Sequence, residues 1–250
     1  MPQAAVRLAS RHLLWLAALL LGARCATAEE LQSFEATYDA SGHGLGGTSV
    51  VRLAQTGPQE WTYSSTEEPH GILRLLLPSK IVSESRLRID ANGVVPLSYR
   101  ADDAAGRSSR GVDLQFDWDK GRITGTDQGQ AIDMPLQPGV QNDLSVQVAL
   151  VFQLLHGVTP TGFLLYDKSG IRNYAYSRDG AEVLDTPMGK IATNIYRSQK
   201  DGSPRVTRFW CAPSLGFVPL RAEQRRVSSD RSSSQEWLLS AVAVKRPATP

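Results

Sequence analysis

Apolar and polar residues alternate along most of this chain. Phe34, Ala36, Tyr38 and Ala40 are interleaved with Glu35, Thr37 and Asp39. A period of two sends successive side chains to opposite faces of an extended strand, one buried and one wet. The alternation returns at Trp61 and Tyr63. It returns again at Ile81, Ser83, Ser85, Leu87 and Ile89, set against Glu84, Arg86, Arg88 and Asp90. Val112, Leu114, Phe116 and Trp118 repeat it, as do Ile191, Thr193 and Ile195 against Ala192, Asn194 and Tyr196. Apolar segments at Phe209 and Cys211, from Phe217 to Val227 and from Trp237 to Val244 complete the set. Turn chemistry lies between them: Asn92-Gly93, Asp119-Lys120-Gly121, Gln128-Gly129, Asp179-Gly180, Asp201-Gly202 and Asp185-Thr186-Pro187-Met188-Gly189. Such pairs supply the positive φ that tight hairpins need. Pro96 and Pro219 fall at strand starts or interruptions, which suits edges or bulges. The pattern predicts about ten or eleven short strands joined by hairpins, in an antiparallel sheet with one solvated face. The polar stretches Asp102 to Arg110 and Ser228 to Ser234 read as long loops within it, and no domain linker is evident.

One segment follows a different period. From Asn142 to His156, Leu144, Val148, Val151 and Leu155 recur at helical spacing, and Ala149, Leu150, Phe152 and Leu154 make the segment apolar nearly all round. A helix of this kind must be buried on most sides. Asn142 or Asp143 can cap its start, Gly157 can take the left-handed position after its end, and Pro160 forbids continuation. The fold expected is mainly β: a strongly curved antiparallel sheet, half-barrel-like, wrapped around one central helix. Val148, Val151, Phe152 and Leu155 are its expected core contribution.

The first residues are of another kind. Arg7, Arg11 and His12 precede an apolar run from Leu13 to Leu21, followed by Ala26-Thr27-Ala28 and then Glu29. A charged start, a short apolar centre and a small-x-small exit make a secretory leader, with cleavage expected after Ala28. The run is too short to span a bilayer. An uncleaved anchor is one alternative. Lipidation at Cys25 is another, disfavoured because Arg24 stands where a small residue is needed. The expectation is a leader over residues 1–28, a single β-rich domain over 29–250, and a periplasmic location without a membrane span.

Composition adds mainly exclusions. With 41% hydrophobic and 21% charged residues among 250, the chain has ordinary globular usage. The formal charge of +2 owes its sign to leader arginines, so nothing supports nucleic-acid binding. Cleavage removes Cys25 and leaves Cys211 alone beside Phe209 and Trp210, where burial is expected. His43 sits among Gly42, Gly44, Gly46 and Gly47, without the strand-to-helix context of a phosphate cradle; a hairpin between the first two strands fits better. His70 follows Glu67, Glu68 and Pro69, but adjacent acids on a strand point to opposite faces, so a solvated loop is favoured over a metal site. His156 at the helix end suits capping. No Gly-x-Ser-x-Gly elbow and no Ser-x-x-Lys set are present. No catalytic, cofactor-binding or metal-binding residue is assigned, and no cofactor is called for.

The order of several segments is familiar. The opening FEATYDASGHGLGG, then Asn92-Gly93-Val94-Val95-Pro96-Leu97-Ser98-Tyr99, then Gln141-Asn142-Asp143-Leu144-Ser145, the turn Thr186-Pro187-Met188-Gly189-Lys190, and Phe209-Trp210 before Phe217-Val218-Pro219-Leu220-Arg221 occur in sequence. Together they resemble the exported bacterial family known as domain of unknown function 3108, over nearly all of the chain beyond the leader. The resemblance implies a β-rich periplasmic protein and gives no residue a role. A curved sheet cupping a helix is also similar in architecture to periplasmic lipoprotein carriers, an analogy of fold alone. Strand-face aromatics (Phe34, Tyr38, Trp61, Tyr63, Phe116, Trp118, Tyr174, Tyr176, Trp210, Trp237) together with the lack of a nucleophile or metal signature favour a non-catalytic binding module for an apolar, lipid-like or amphipathic ligand, held in a concavity between sheet and helix of about 300 Å³ or more. A helix packed flush against the sheet would make the aromatics ordinary core. A structural or interaction component with an envelope-protein partner is the alternative, and an enzyme acting on envelope polysaccharide a third.

Overall fold

A computed structural model of the chain describes residues 30–42, 45–71, 80–103, 110–167, 170–227 and 233–246, with the backbone alone at Leu45 and Ser233. The expected leader with Cys25 and Ala28, and the loop residue His43, lie outside the described residues.

Hairpins follow one another through the chain. The strands are β1 (Phe34–Gly42), β2 (Leu45–Gln55), β3 (Glu60–Pro69), β4 (Ile81–Asp90), β5 (Gly93–Ala101), β6 (Val112–Asp117), β7 (Arg122–Asp127) and β8 (Gln130–Pro135). After helix α1 (Ser145–Leu155) come β9 (Gly162–Tyr166), β10 (Ile171–Thr186), β11 (Gly189–Lys200), β12 (Arg205–Ala212), β13 (Val218–Val227) and β14 (Ser233–Lys245). All belong to one antiparallel sheet ordered β8-β7-β6-β5-β4-β3-β2-β1-β14-β13-β12-β11-β10-β9. The mainly β architecture with one helix is as expected. The sheet is not closed into a barrel, since β8 and β9 are the ends of the order.

Fourteen strands replace the expected ten or eleven. Those the alternation passed over are short or diluted by small and polar residues. Strand β7 reads Arg-Ile-Thr-Gly-Thr-Asp and β8 reads Gln-Ala-Ile-Asp-Met-Pro. A second correction concerns Asp179-Gly180, expected between strands. It lies inside β10, where the register with β11 shifts between Arg178 and Gly180. Gly180 has φ of 122°, so the positive φ there serves a bulge instead of a turn. The bulge changes the phase of the hairpin: Thr193 is buried, but so is Tyr196, while Ile195, expected on Thr193's face, is only half-buried. Pro96 and Pro219 both sit next to register shifts, as anticipated. Their carbonyls accept hydrogen bonds from the Trp118 indole at 2.7 Å and the Tyr38 hydroxyl at 2.8 Å.

The helix obeys its capping signals. Asn142 Oδ1 accepts from the amides of Leu144 and Ser145 at 3.0 and 2.9 Å, and its own carbonyl accepts from Val146. Gly157 has φ of 73°, and the amides of Gly157 and Val158 return to Leu154 and Gln153. That pattern is a Schellman end. The His156 ring nitrogen Nδ1 lies 2.8 Å from the Phe152 carbonyl, the capping place foreseen for it. Val148, Val151 and Leu155 are buried as expected. Phe152 is not: it is half-buried, tilted against the His156 ring at 4.3 Å, and Leu150 and Leu154 take the core places instead. In a helix apolar nearly all round, the side lying farthest from the sheet cannot be read from spacing alone.

Register shows which face of the sheet carries the helix. Phe34, Ala36 and Tyr38 share one face of β1 and are buried, and Leu53 lies opposite Phe34, with Tyr63 opposite Leu53. Phe34, Leu53 and Tyr63 meet Val148 and Val151 of α1, and the Tyr63 hydroxyl donates to Gln147 at 3.1 Å. Strands from opposite ends of the order also touch. The Tyr166 hydroxyl of β9 donates to Asp127 of β7 at 2.9 Å, both residues being buried. Gln141, just before α1, exchanges backbone hydrogen bonds with Leu164 and Tyr166 and donates its side-chain amide to the Val94 carbonyl of β5 at 2.9 Å.

Candidate functional site: an apolar groove beside the helix

The helix-bearing face is filled unevenly. Where α1 lies on Phe34, Leu53 and Tyr63, the space left is about 10 Å³. Farther along β1, past Tyr38, the helix no longer covers the strands, and an open groove of about 610 Å³ remains, walled mainly by apolar atoms. Ala40, Gly42, Gly47, Ile81, Trp237 and Leu239 line it. Ala40 and Gly42 continue the buried face of Tyr38 by the period of two, and Leu239 and Trp237 stand opposite them on β14. Gly47 stands opposite Ala40 on β2. Cross-strand partners share a face, so groove and helix lie on the same side of the sheet.

Small residues make the groove. A Cβ at Gly47 would come to 2.8 Å of the Glu68 carbonyl oxygen, and one at Gly42 to 2.9 Å of the Glu236 carbonyl oxygen. Only glycine fits those close approaches, and the bare backbone leaves the floor open. Sequence reading took Ser41 to Gly47 for a hairpin, and the β1–β2 hairpin is there; its second role as a groove floor was missed. The signal was present in four small residues on or beside an apolar strand face, but bare backbone has no periodicity to count.

The polar groups near the groove sort by strand face. Glu67 and Glu68 diverge, as expected of neighbours on a strand. Glu68 pairs with Lys80 at 3.1 Å. Glu67 lies in the groove lining opposite Ile81, and desolvation there raises its carboxyl above the ordinary value. His70 is exposed, with Nε2 2.9 Å from Thr48 Oγ1. Cys211 is fully buried, and burial pushes its thiol far up, which leaves the inert thiol and not the nucleophilic thiolate. The Thr186 to Gly189 segment makes its turn, Thr186 Oγ1 donating to the Gly189 carbonyl at 2.8 Å and accepting from the Met188 amide.

A second, smaller depression of about 170 Å³ lies on the adjoining strands β10 to β13, lined by Asp167, Tyr174, Ser198, Lys200, Thr207 and Gln224. Its walls are polar. The Tyr174 hydroxyl and the Lys200 ammonium both donate to Asp167 Oδ2, at 3.0 and 2.9 Å. Burial and the neighbouring Asp167 raise the Tyr174 phenol, and burial pushes Tyr176 beside it up to about 12. Among the described residues no three His, Cys, Asp or Glu side chains converge as metal ligands, and no helix is long and apolar enough to cross a membrane.

Fold and groove together define an open antiparallel-sheet protein with one packed helix and a ligand-sized depression beside it. The chain belongs to the family described as Protein of unknown function (DUF3108), whose model matches residues 33–229. No curated protein matches it. Among solved structures it is similar to the crystal structure of a beta-barrel-like protein of domain of unknown function DUF1849 from Brucella abortus. The TM-score is 0.53 at 11% identity, over 87% of this chain and 99% of that one. At that identity the likeness is one of fold.

Proposed function

We propose that this protein is an exported periplasmic binding module, without catalysis, that holds an apolar or amphipathic small molecule in the groove beside α1. The observation that carries the reading is the groove itself: about 610 Å³ of mainly apolar lining, left open on a face that is closely packed where α1 lies on it. Small-molecule sites are typically apolar concavities of this size with a few polar groups. Among the described residues the expected concavity between sheet and helix is absent, since α1 packs flush on Phe34, Leu53 and Tyr63 with about 10 Å³ to spare; the site proposed here lies beyond the helix.

The same reading holds that the sheet curves around α1 as a half-barrel. Strands lie about 4.8 Å apart, so β7 and β9 in a flat sheet of this order would be separated by roughly 60 Å. The Tyr166–Asp127 hydrogen bond and the Gln141 bridge support ends that turn toward each other. The leader sequence supports export and cleavage after Ala28, which the intact mass of protein recovered from the periplasm tests.

Native mass spectrometry of protein purified gently from its own periplasm tests the binding role. A co-purifying small mass, lost in an Ala40→Phe variant that fills the groove, is the expected result. An empty protein showing no thermal shift with fatty acids and lipids would end the reading. A protein-interaction role has one observation in its favour. The β10–β11 hairpin runs on beyond its pairing with β9 and β12 and leaves Val183 61% exposed. A co-purifying protein lost on Val183→Asp would select that role.

A further inference from the structure

The apolar groove and the polar depression are not separate features. Tyr176 pairs with Ser198, Ser198 with Thr207, Thr207 with Gln224, Gln224 with Trp237, and Trp237 with Gly42. Each is a cross-strand partner of the next, so the six form one row across six strands on one face of the sheet. Trp237 walls the groove and Gln224 lines the depression. The two hollows meet along that one strand pair. The hydrogen bond from Gln224 Nε2 to Thr207 Oγ1, at 3.0 Å, joins two neighbours of the row on that face.

The polar half has a definite character. Its cations are already matched: Lys200 to Asp167 at 2.9 Å and Arg205 to Glu236 at 2.6 Å. A charged head would meet cations that already hold carboxylates of their own, so it finds no unmatched charge to pair with. Hydrogen-bonding capacity remains. Thr207 accepts from Gln224, which leaves the Thr207 hydroxyl proton and the Gln224 carbonyl oxygen. Lys200 has further N–H groups beyond the one given to Asp167. Donors and acceptors thus alternate over a few ångströms without net charge, which is the arrangement that a group of neighbouring hydroxyls satisfies.

Resting on the groove reading above, we infer that the ligand is a non-ionic amphiphile, its apolar portion in the groove and an uncharged, hydroxyl-rich head of the sugar or polyol type in the Ser198–Thr207–Gln224 depression. The Trp237–Gln224 pair is the boundary between tail and head.

The test uses one eight-carbon chain carrying four heads: octyl β-glucoside, octanoate and octylammonium, each below its micelle concentration, and 1-octanol, below its solubility limit. Binding to the mature protein is followed by calorimetry and by tryptophan fluorescence. Octyl glucoside should bind about tenfold or more tighter than octanol, octanoate or octylammonium. Thr207→Val and Gln224→Met should each remove most of that advantage while leaving octanol binding unchanged. Ala40→Phe should weaken all four, and circular dichroism checks that the variants are folded. Equal binding of glucoside and octanol, tighter binding of either ion, or a glucoside advantage that survives both polar variants would overturn the head assignment and leave the apolar groove standing. No binding by any of the four would remove the groove reading and this inference together.

Discussion

Leu150 and Phe152 stand two positions apart on one helix and meet different surroundings. Leu150 is 2% exposed, whereas Phe152 is half-buried against the His156 ring. Truncating a buried leucine leaves a cavity as well as losing its transfer free energy, so Leu150→Ala should cost about 3 kcal/mol. Phe152→Ala should cost less, about 1.5 kcal/mol, because water already reaches part of the ring. Urea unfolding of the two variants checks the order, and an equal or inverted loss would mean that the helix packs by another side. Glu67 is the second residue with a clear expectation. Desolvation by the groove walls raises its carboxyl above the ordinary 4.5 although the side chain stays exposed, so the folded protein holds that proton more tightly than the unfolded chain. The stability from this linkage is complete below the ordinary value and is lost as pH rises through the raised folded value. Glu67→Gln keeps the neutral form at every pH. It should therefore raise Tm at about pH 7.5 and lose that advantage at about pH 3.5, as thermal scans at both pH values would show. At this scale the sequence was informative wherever one face is dry: Leu87, Leu114 and Phe116 alternate with charge and are buried. It was silent on Glu67, because alternation tells which way a side chain points and not how far its neighbours desolvate it.

The elements obey their local signals, but a signal can serve more than one structure. Gly180 and Gly93 have similar φ, 122° and 132°, and one makes a bulge while the other closes the β4–β5 hairpin. Positive φ is what glycine offers, and the strands on either side decide its use. Gly157 has a single reading: the left-handed residue that ends α1, with open space where a Cβ would go. Gly157→Ala should thus cost only the conformational strain, about 1–2 kcal/mol, with no steric term. A loss well above that range in chemical denaturation would mean a contact that the open space does not contain. Asn142 was legible as a cap because its side chain acts on residues two and three positions away. Its other bond, from Nδ2 to the Ser85 hydroxyl at 2.9 Å, reaches across 57 positions and was not legible.

The whole molecule depends on pairings of that second kind. Tyr166 and Asp127 are 39 positions apart and join strands from opposite ends of the sheet order, and nothing in either local sequence announces it. Tyr166→Phe removes the hydroxyl and leaves a buried carboxylate short of a donor, which should cost about 1–3 kcal/mol. Hydrogen exchange should quicken in β7 and β9 together; quickening in one alone would mean that the contact does not couple the ends. The groove escaped sequence reading for a related reason: its walls come from β1, β2, β3, β4 and β14, and only register brings Ala40, Gly47, Glu67, Ile81 and Leu239 to one face. The order of strands has one further consequence. The first and last strands, β1 and β14, are neighbours at the centre of the sheet, with Glu35 opposite Lys245, while the middle of the chain supplies both ends of the order. Apart from that one ladder, every strand pairing among the described residues is between strands consecutive along the chain, so the sheet is two local meanders fastened by the β1–β14 ladder. Joining the chain near those two residues and cutting it at Pro138-Gly139 would keep every ladder, turn the slowest loop closure into an ordinary hairpin, and give a circular permutant that folds faster than its parent.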